Sequence, residues 1–234
     1  MTLKKRGVSN AEGDNNIFWT TMSDLMLGLA IVFMTLFVFA MTGFTQDSVR
    51  QKMKQVEVSN ELVEQLKREN IEAQVDKLSG DVKILDLELF EVGSYELSPR
   101  GKKYLDKFVP IYVNTVFSND DIVEQIDAII IQGHTDSQSF SGVKDPDEHY
   151  VKNMTLSLQR ANSIAEYMFK TRYNKQYTSK LKSFLAVEGR SSSDPVMING
   201  KEDLDKSRRV ELRLKTRKLD IMNIFISGAL NKSD

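Results

Sequence analysis

Residues 16–44 read NIFWTTMSDLMLGLAIVFMTLFVFAMTGF, and this segment sets the organisation of the whole chain. No charged side chain occurs between Leu25 and Met41. A helix of about 20 apolar residues crosses the roughly 30 Å hydrocarbon core of a bilayer. The sequence therefore predicts one transmembrane helix over residues 17–44, embedded in a lipid bilayer.

One carboxylate, Asp24, lies inside this segment. An aspartate at the centre of a membrane helix costs about 2.5–3.5 kcal/mol on insertion scales. A helix that begins near Ile17 carries Asp24 on the order of 10 Å into the membrane. Such a group is expected to face a partner helix or a wet cavity, and to carry a proton or a cation. The alternative is an interfacial aspartate that caps the first helical turn.

The small and polar residues of the segment share a face with Asp24. Helical spacing places them along one stripe. They are Thr20 or Thr21, Gly28, Ile31 and Thr35. The opposite positions, rich in leucine and phenylalanine, suit lipid or tight helix packing.

Composition excludes several classes of protein. The formal net charge is −1 and no long basic stripe exists, so nothing indicates a nucleic-acid partner. Cysteine is absent, which excludes disulfides and thiolate metal sites and leaves the redox compartment open. A basic cluster at residues 4–6 precedes the apolar segment, and no small-residue cleavage site follows it. The segment is therefore expected to be an uncleaved anchor. Positive charges on its two sides are nearly balanced, so charge counting does not settle the orientation.

Residues 45–79 are polar and contain no proline, with apolar residues at several steps of three or four. This spacing predicts an interrupted amphipathic helix that links the membrane segment to a folded domain. It is either a solvated spacer or a short two-stranded coiled coil. Ser79-Gly80 ends the pattern.

From Asp81 onward the hydrophobic period changes to two, as in a strand. Further patterns predict strands and helices in alternation, which gives an α+β domain with helices on one face of a mixed sheet. The predicted strands are 82–90, 127–133, 184–188 and 210–215, and the predicted helices begin at Pro99 and run over 156–170. A loop is expected over residues 134–154. The tail, residues 218–234, has an apolar patch too short to span a membrane.

Three motifs of this domain resemble the OmpA-like peptidoglycan-binding family. They cover residues 80–217 in the family's order. The motifs are LFEVGSYELSPRG at residues 89–101, GHTD at 133–136 followed by NMTLSLQRA at 153–161, and SRRVE at 207–211. Ser207 stands where asparagine is usual in the family.

The resemblance implies that Asp136 and Arg160 hold the diaminopimelate of the peptidoglycan stem peptide. A carboxylate accepts hydrogen bonds from an ammonium, and a guanidinium grips a carboxylate in bidentate fashion. Thr135 would also bind the ligand, Asn153 would order the loop or bond the ligand, and Leu156 would pack beneath it. Residues 137–152 are longer than the family's usual connection, and could cover the site or fill it. The alternative is a fold that serves only for dimerisation.

An OmpA-like domain behind one membrane helix that bears an aspartate resembles the B subunits of ion-driven 5:2 motors. These include the flagellar MotB family, and the membrane motif fits the ZorB family of Zorya anti-phage systems better. The resemblance implies a homodimer inside a pentamer of MotA- or ZorA-like subunits, with Asp24 passing ions. Ser23, Thr20 and Thr21 could ligate sodium, yet we expect protons to be transported. The alternatives are a flagellar stator subunit and a passive cell-wall tether.

This resemblance also implies a location in the bacterial inner membrane. Residues 1–16 would form a cytoplasmic tail, and the C-terminal domain would lie in the periplasm. We expect no enzymatic activity, cofactor or metal. His134 and His149 lack metal-ligand spacing, and Ser157 with His134 and Asp136 resembles a catalytic triad only by residue type.

Overall fold

The computed structural model describes residues 11–91, 93–138 and 142–217, with the side chains of 11–17, 43–48 and 50–51 outside the description. Most of the predicted cytoplasmic tail and all of the tail 218–234 therefore lie outside the described residues. The chain forms two compact units, which divide between Gln51 and Lys52.

The first unit is helical over its described residues. Helix α1 spans Ala11–Arg68, and within the described residues one part of it, Phe18–Thr42, is long and apolar enough to cross a membrane. Phe18 and Trp19 meet edge to face at 6.1 Å between ring centroids near the start of this part. Aromatic rings of this kind are enriched where a membrane helix enters the headgroup region.

The second unit begins with the last part of α1. Val58, Leu62 and Leu66 are spaced one helical turn apart and are buried in the core of the domain. The coiled-coil prediction is therefore wrong at Leu62 and Leu66, because both side chains pack against their own domain. The helical prediction for 45–79 fails after Arg68, where Asn70 takes a positive φ of 50° and a strand follows.

A five-stranded sheet organises the domain. Its order is β1-β2-β7-β3-β4, with β3 and β4 parallel and the other neighbours antiparallel, so the mixed sheet is confirmed. The strands are β1 Gln74–Val75, β2 Val82–Leu85, β3 Ile126–His134, β4 Leu185–Gly189 and β7 Arg209–Thr216. A separate hairpin pairs β5 Met197–Ile198 with β6 Lys201–Glu202.

Helices cover one face of the sheet, as the sequence predicts. Side chains of β3 and β7 point alternately to the two faces of the sheet. Ile129 and Ile131 of β3 face the core. Gln132 lies on the opposite face, where its Nε2 donates to Glu188 Oε2 at 2.6 Å. The helices are α2 Asp86–Leu89, α3 Pro99–Phe117, α4 Asp120–Val123, α5 Pro146–Lys170, α6 Thr178–Phe184 and α7 Leu204–Ser207, with a 3₁₀ turn at Lys175–Tyr177. The start of α3 at Pro99 is confirmed, with Ser98 Oγ accepting from Gly101 N at 2.9 Å.

Two boundaries differ from the sequence prediction. The strand expected to reach Phe90 ends at Leu85, because the chain turns into the short helix α2. Helix α5 begins at Pro146 instead of Leu156: Asp145 caps it by accepting from Asp147 N at 3.1 Å, and proline is well tolerated at the first helical position. Residues 146–154 of the predicted loop are therefore helical.

Candidate functional site

Two glycines let helix α5 approach the sheet at the end of β3 and β4. A Cβ atom on Gly133 would lie 2.0 Å from the backbone oxygen of Ser157, and one on Gly189 would lie 2.8 Å from Met154 O. Ser157 Oγ accepts from Ser191 N at 3.1 Å and so ties α5 to the segment after β4. The residues that follow β3 are thereby held against the first half of α5.

Asp136 lies in this position and is already paired within the chain. Its Oδ2 forms an ion pair with Arg208, and its Oδ1 accepts from Gln138 N at 3.2 Å. The second Nη atom of Arg208 pairs with Asp205. Arg208 therefore bridges two carboxylates at the mouth of the site.

Arg160 reaches the same region from α5 but is fully buried. Its Nε donates to Ser94 O at 2.8 Å, and its Nη2 lies 3.0 Å from Asp86 Oδ2. The ring centroid of Phe90 lies 5.4 Å from the guanidinium carbon, within the range of a cation–π contact. The arginine that the resemblance assigns to the ligand is thus held by an internal carboxylate.

Asp86, Asp136, Arg160 and Arg208 form one cluster of charges, and Asp86 has the least complete set of hydrogen bonds among them. Its Oδ1 is buried and has no hydrogen-bond partner among the described residues. Burial raises the pKa of Asp86 to about 6, and Asp136 acts in the same direction, although Arg160 and Arg208 oppose the rise. Burial likewise lowers the pKa of Arg160. Desolvation therefore outweighs pairing for both members of the Asp86–Arg160 pair.

This raised pKa makes stability depend on pH in a defined direction. Because the pKa of Asp86 lies above its ordinary value of 3.8, the folded chain binds more protons than the unfolded chain between these values, and stability falls as pH rises through that window. Asparagine cannot titrate there. When the pH is lowered from about 7.5 to about 5, we expect the free energy of unfolding of the wild type to rise by about 1 kcal/mol relative to that of Asp86→Asn. Urea unfolding followed by tyrosine fluorescence measures this difference, and a constant difference would contradict the prediction.

The remaining predicted ligand residues are also brought together. Thr135 N donates to Ser191 O at 3.0 Å, while its buried Oγ1 has no partner among the described residues. Asn153 Nδ2 lies 3.5 Å from Asp136 O and 3.1 Å from His149 Nε2. Leu156 is half-buried on the same helix. The arrangement places a threonine, an asparagine and an aspartate around one end of β3.

The predicted ion-pathway residues lie in the other unit, on α1. Thr20 and Asp24 are four residues apart and therefore share a helix face. Ser23 Oγ donates to Trp19 O at 2.8 Å, a bond within the helix. Gly28 has no atom within 4 Å of a Cβ built on it, so the described part of the chain leaves this position of the stripe open.

Sequence reasoning missed Asp86 and Arg208. The sequence does contain a signal for Arg208, because it is followed by a second arginine. In an extended chain consecutive side chains point to opposite faces, so only one of Arg208 and Arg209 can lie on the face that the helices cover. Arg209 belongs to the other face, where it pairs with Glu211 at 2.6 Å and Asp194 at 2.7 Å. No comparable signal exists for Asp86. The sequence predicts that it lies within a strand, whereas in the structure it begins helix α2.

One cluster has the residue types of a metal site. Ligand atoms of His134, Asp194 and Glu211 lie within 4.8 Å of one another. Arg209 already bonds both carboxylates, and its positive charge opposes a second cation there. Burial lowers the pKa of His134 to about 4, so the imidazole is neutral at physiological pH. The cluster is an ion-paired support of the sheet.

Comparison with known proteins shows what the chain is similar to. The OmpA family matches residues 89–210. The chain is 33% identical to the Zorya protein ZorB of Escherichia coli (strain Crooks), over 86% of this chain and 89% of that protein. It is 24% identical to the Zorya protein ZorB of Escherichia coli O139:H28, over 91% and 85%. The crystal structure of a MotB-like protein from Desulfovibrio vulgaris is similar in fold, with a TM-score of 0.52 and 19% identity over 74% of this chain and 97% of that one.

Proposed function

Because the chain belongs to the OmpA family and to the ZorB family of Zorya proteins, we propose that it is the wall-anchored B subunit of an ion-driven membrane motor in anti-phage defence. Two copies would stand inside a pentamer of ZorA- or MotA-like subunits in the bacterial inner membrane. The N-terminus would be cytoplasmic and the OmpA-like domain periplasmic, where it binds peptidoglycan. The function is mechanical and needs no cofactor.

The charges of the site support peptidoglycan as the ligand. The free end of diaminopimelate in a stem peptide is a zwitterion, with one ammonium and one carboxylate. Asp136 offers an acceptor for the ammonium, and the arginines of the cluster offer donors for the carboxylate. Buried threonine and asparagine groups beside them can orient the peptide through neutral hydrogen bonds.

Asp24 is the single observation that carries the motor part of the proposal. It lies within the Phe18–Thr42 segment, which is otherwise free of charge. A passive anchor gains nothing from an intramembrane carboxylate, because the residue only raises the cost of insertion. A motor subunit gains a group that loads and releases an ion.

The proposed cycle follows from the cost of that charge. Protonation neutralises Asp24 and removes most of the insertion penalty, so the loaded and empty forms favour different surroundings. One elementary charge that crosses 100 mV releases about 2.3 kcal/mol. Each Asp24 would take up a proton in turn, and the surrounding ring would rotate by a step. The domain bound to the wall would keep the dimer stationary.

Wall binding is tested by removing both charges of the predicted ligand pair. We expect the double variant Asp136→Ala, Arg160→Ala to lose most of its co-sedimentation with purified sacculi, because the ligand's ammonium and carboxylate both lose a partner. The matched control is Glu148→Ala, Lys152→Ala, which removes an exposed ion pair on the same helix. Circular dichroism checks that each variant is folded.

Undiminished co-sedimentation of the folded double variant would contradict peptidoglycan binding at this site. The motor is tested separately by purification from native membranes with copy numbers. A pentameric membrane partner supports the motor, whereas purification without such a partner indicates a passive tether. Co-purification with flagellar proteins would favour a flagellar stator subunit instead.

A further inference from the structure

Strand β4 forms one edge of the sheet, and among the described residues its outer side is open. It spans Leu185–Gly189 and pairs there with β3 alone. Its sequence, LAVEG, contains no proline and one charged residue. Proteins usually protect an edge of this length with prolines, charges, bulges or a covering segment, because its free backbone groups can pair with another strand. The sequence of β4 lacks most of this protection.

The apolar layer between sheet and helices is incomplete at this edge. Ile129 and Ile131 of β3 are fully buried on the face that the helices cover. Leu185 and Val187 lie next to them in register on β4, and both are only partly buried. Leu158 of α5 lies beside the end of β4 and is 45% exposed. One further strand with apolar side chains on the helix side would complete the layer.

The chain itself contains a segment with the required pattern. Residues 222–226 read MNIFI and belong to the tail 218–234, outside the described residues. In an extended conformation Met222, Ile224 and Ile226 would share one face, with an asparagine and a phenylalanine on the other. Isoleucine and phenylalanine are enriched in strands. The segment is as long as β4, and a serine and a glycine follow it as a turn signal.

The position at which β7 ends lets this segment reach β4. Thr216, the last residue of β7, lies level with Ile126, whereas β4 begins at Leu185, which lies level with Ile129. Three strand spacings of about 4.8 Å and a rise of three residues together make about 18 Å. The six steps from Thr216 to Met222 span up to about 20 Å when extended. The connection is therefore long enough.

We propose that residues 222–226 add a strand to the sheet at the outer edge of β4. The strand runs parallel to β4, with Met222 level with Leu185 and Ile224 level with Val187, and its helix-side residues complete the apolar layer. A segment of the same chain is favoured over a second copy, because its tether gives it a high effective concentration at this edge. The tail thereby closes the edge through which copies of the chain would otherwise join. This inference does not depend on peptidoglycan binding.

Engineered disulfides test the pairing directly, because the chain contains no cysteine. Ala186→Cys with Asn223→Cys would place two thiols on neighbouring strands at a Cα separation of about 5 Å, which a disulfide tolerates. The control is Gln74→Cys with Asn223→Cys, since Gln74 lies on β1 at the opposite edge of the sheet. In the whole chain in detergent, we expect the first pair to form an intramolecular disulfide about tenfold faster or more.

Mass spectrometry of the linked peptides and non-reducing gels identify the product. Equal rates for the two cysteine pairs would overturn the proposal. A disulfide that joins two copies of the chain through the first pair would also overturn it, because the edge would then be covered by the tail of a second copy.

Hydrogen exchange gives a second measurement without engineered thiols. The outward amides of β4 should be protected in the wild type and should exchange about tenfold faster in Ile224→Asp, because a carboxylate cannot be buried against the apolar layer. Asn223→Asp is the matched control, since it places the same group on the open face of the sheet. Equal exchange of these amides in the wild type and in folded Ile224→Asp would contradict the added strand.

Discussion

Asp24→Asn is expected to abolish ion flux and phage protection while the chain still assembles with its membrane partner. Asparagine has nearly the same size as aspartate and can hydrogen-bond, but it cannot take up and release a proton. Insertion should improve slightly, because the intramembrane charge is gone. Flux is measured in proteoliposomes that hold the purified complex, and protection is measured as plaque formation on cells that carry the complete defence system.

Ser23→Ala is the matched control and also bears on the identity of the ion. The hydroxyl of Ser23 already donates to Trp19 O, so a proton pathway through Asp24 does not need it. We expect Ser23→Ala to keep flux and protection, and flux to be independent of sodium. Sodium-dependent flux that falls in this variant would indicate sodium transport. Full flux and full protection in Asp24→Asn would remove the motor mechanism altogether.

Gly133→Ala is expected to destabilise the domain strongly. The new Cβ would stand 2.0 Å from the backbone oxygen of Ser157, a contact that no side-chain rotation can relieve. Either β3 or α5 must shift, and this movement opens the core where the two elements pack. Overpacking typically costs 1–3 kcal/mol of stability. Because the new Cβ atom clashes with backbone that cannot rotate away, we expect the free energy of unfolding to fall by about 3 kcal/mol or more. Because domains are stable by only about 5–15 kcal/mol, binding to sacculi should fall with the folded fraction.

Gly189→Ala gives a graded comparison at the same helix. Its nearest atoms lie at 2.8 Å and include the Ser157 hydroxyl, which can rotate. We expect a smaller loss of stability than for Gly133→Ala, about 1–3 kcal/mol by urea unfolding. Equal stability of Gly133→Ala and the wild type would show that α5 does not approach the sheet as closely as the structure has it.

The core of the domain extends beyond the part that the OmpA family matches. That match begins at residue 89, whereas Val58, Leu62 and Leu66 of α1 are buried in the same core as β3 and β7. Gln55 Nε2 also donates to Ser79 O at 2.7 Å, which ties the helix to the segment before β2. The end of α1 is therefore part of the folded domain and not a spacer.

The sequence by itself determined the elements whose signal is local. A long apolar run without charges predicts the apolar part of α1, and alternation along Val210–Lys215 predicts the last strand, because these patterns are local in the sequence. The motif residues Asp136, Asn153 and Arg160 were also found from the sequence, since the order of their motifs resembles one family. Their role in binding stays a prediction.

Only the tertiary structure decided how the charges of the site pair. Asp86 and Arg160 are 74 positions apart in the chain by their residue numbers, and nothing local indicates that a buried carboxylate would hold this arginine. Likewise the spacing of Leu62 and Leu66 suits a partner helix as well as it suits the chain's own core, because periodicity gives the apolar face and not what covers it. Long-range pairing depends on which elements the fold brings together, and that information lies in the packing of the whole domain.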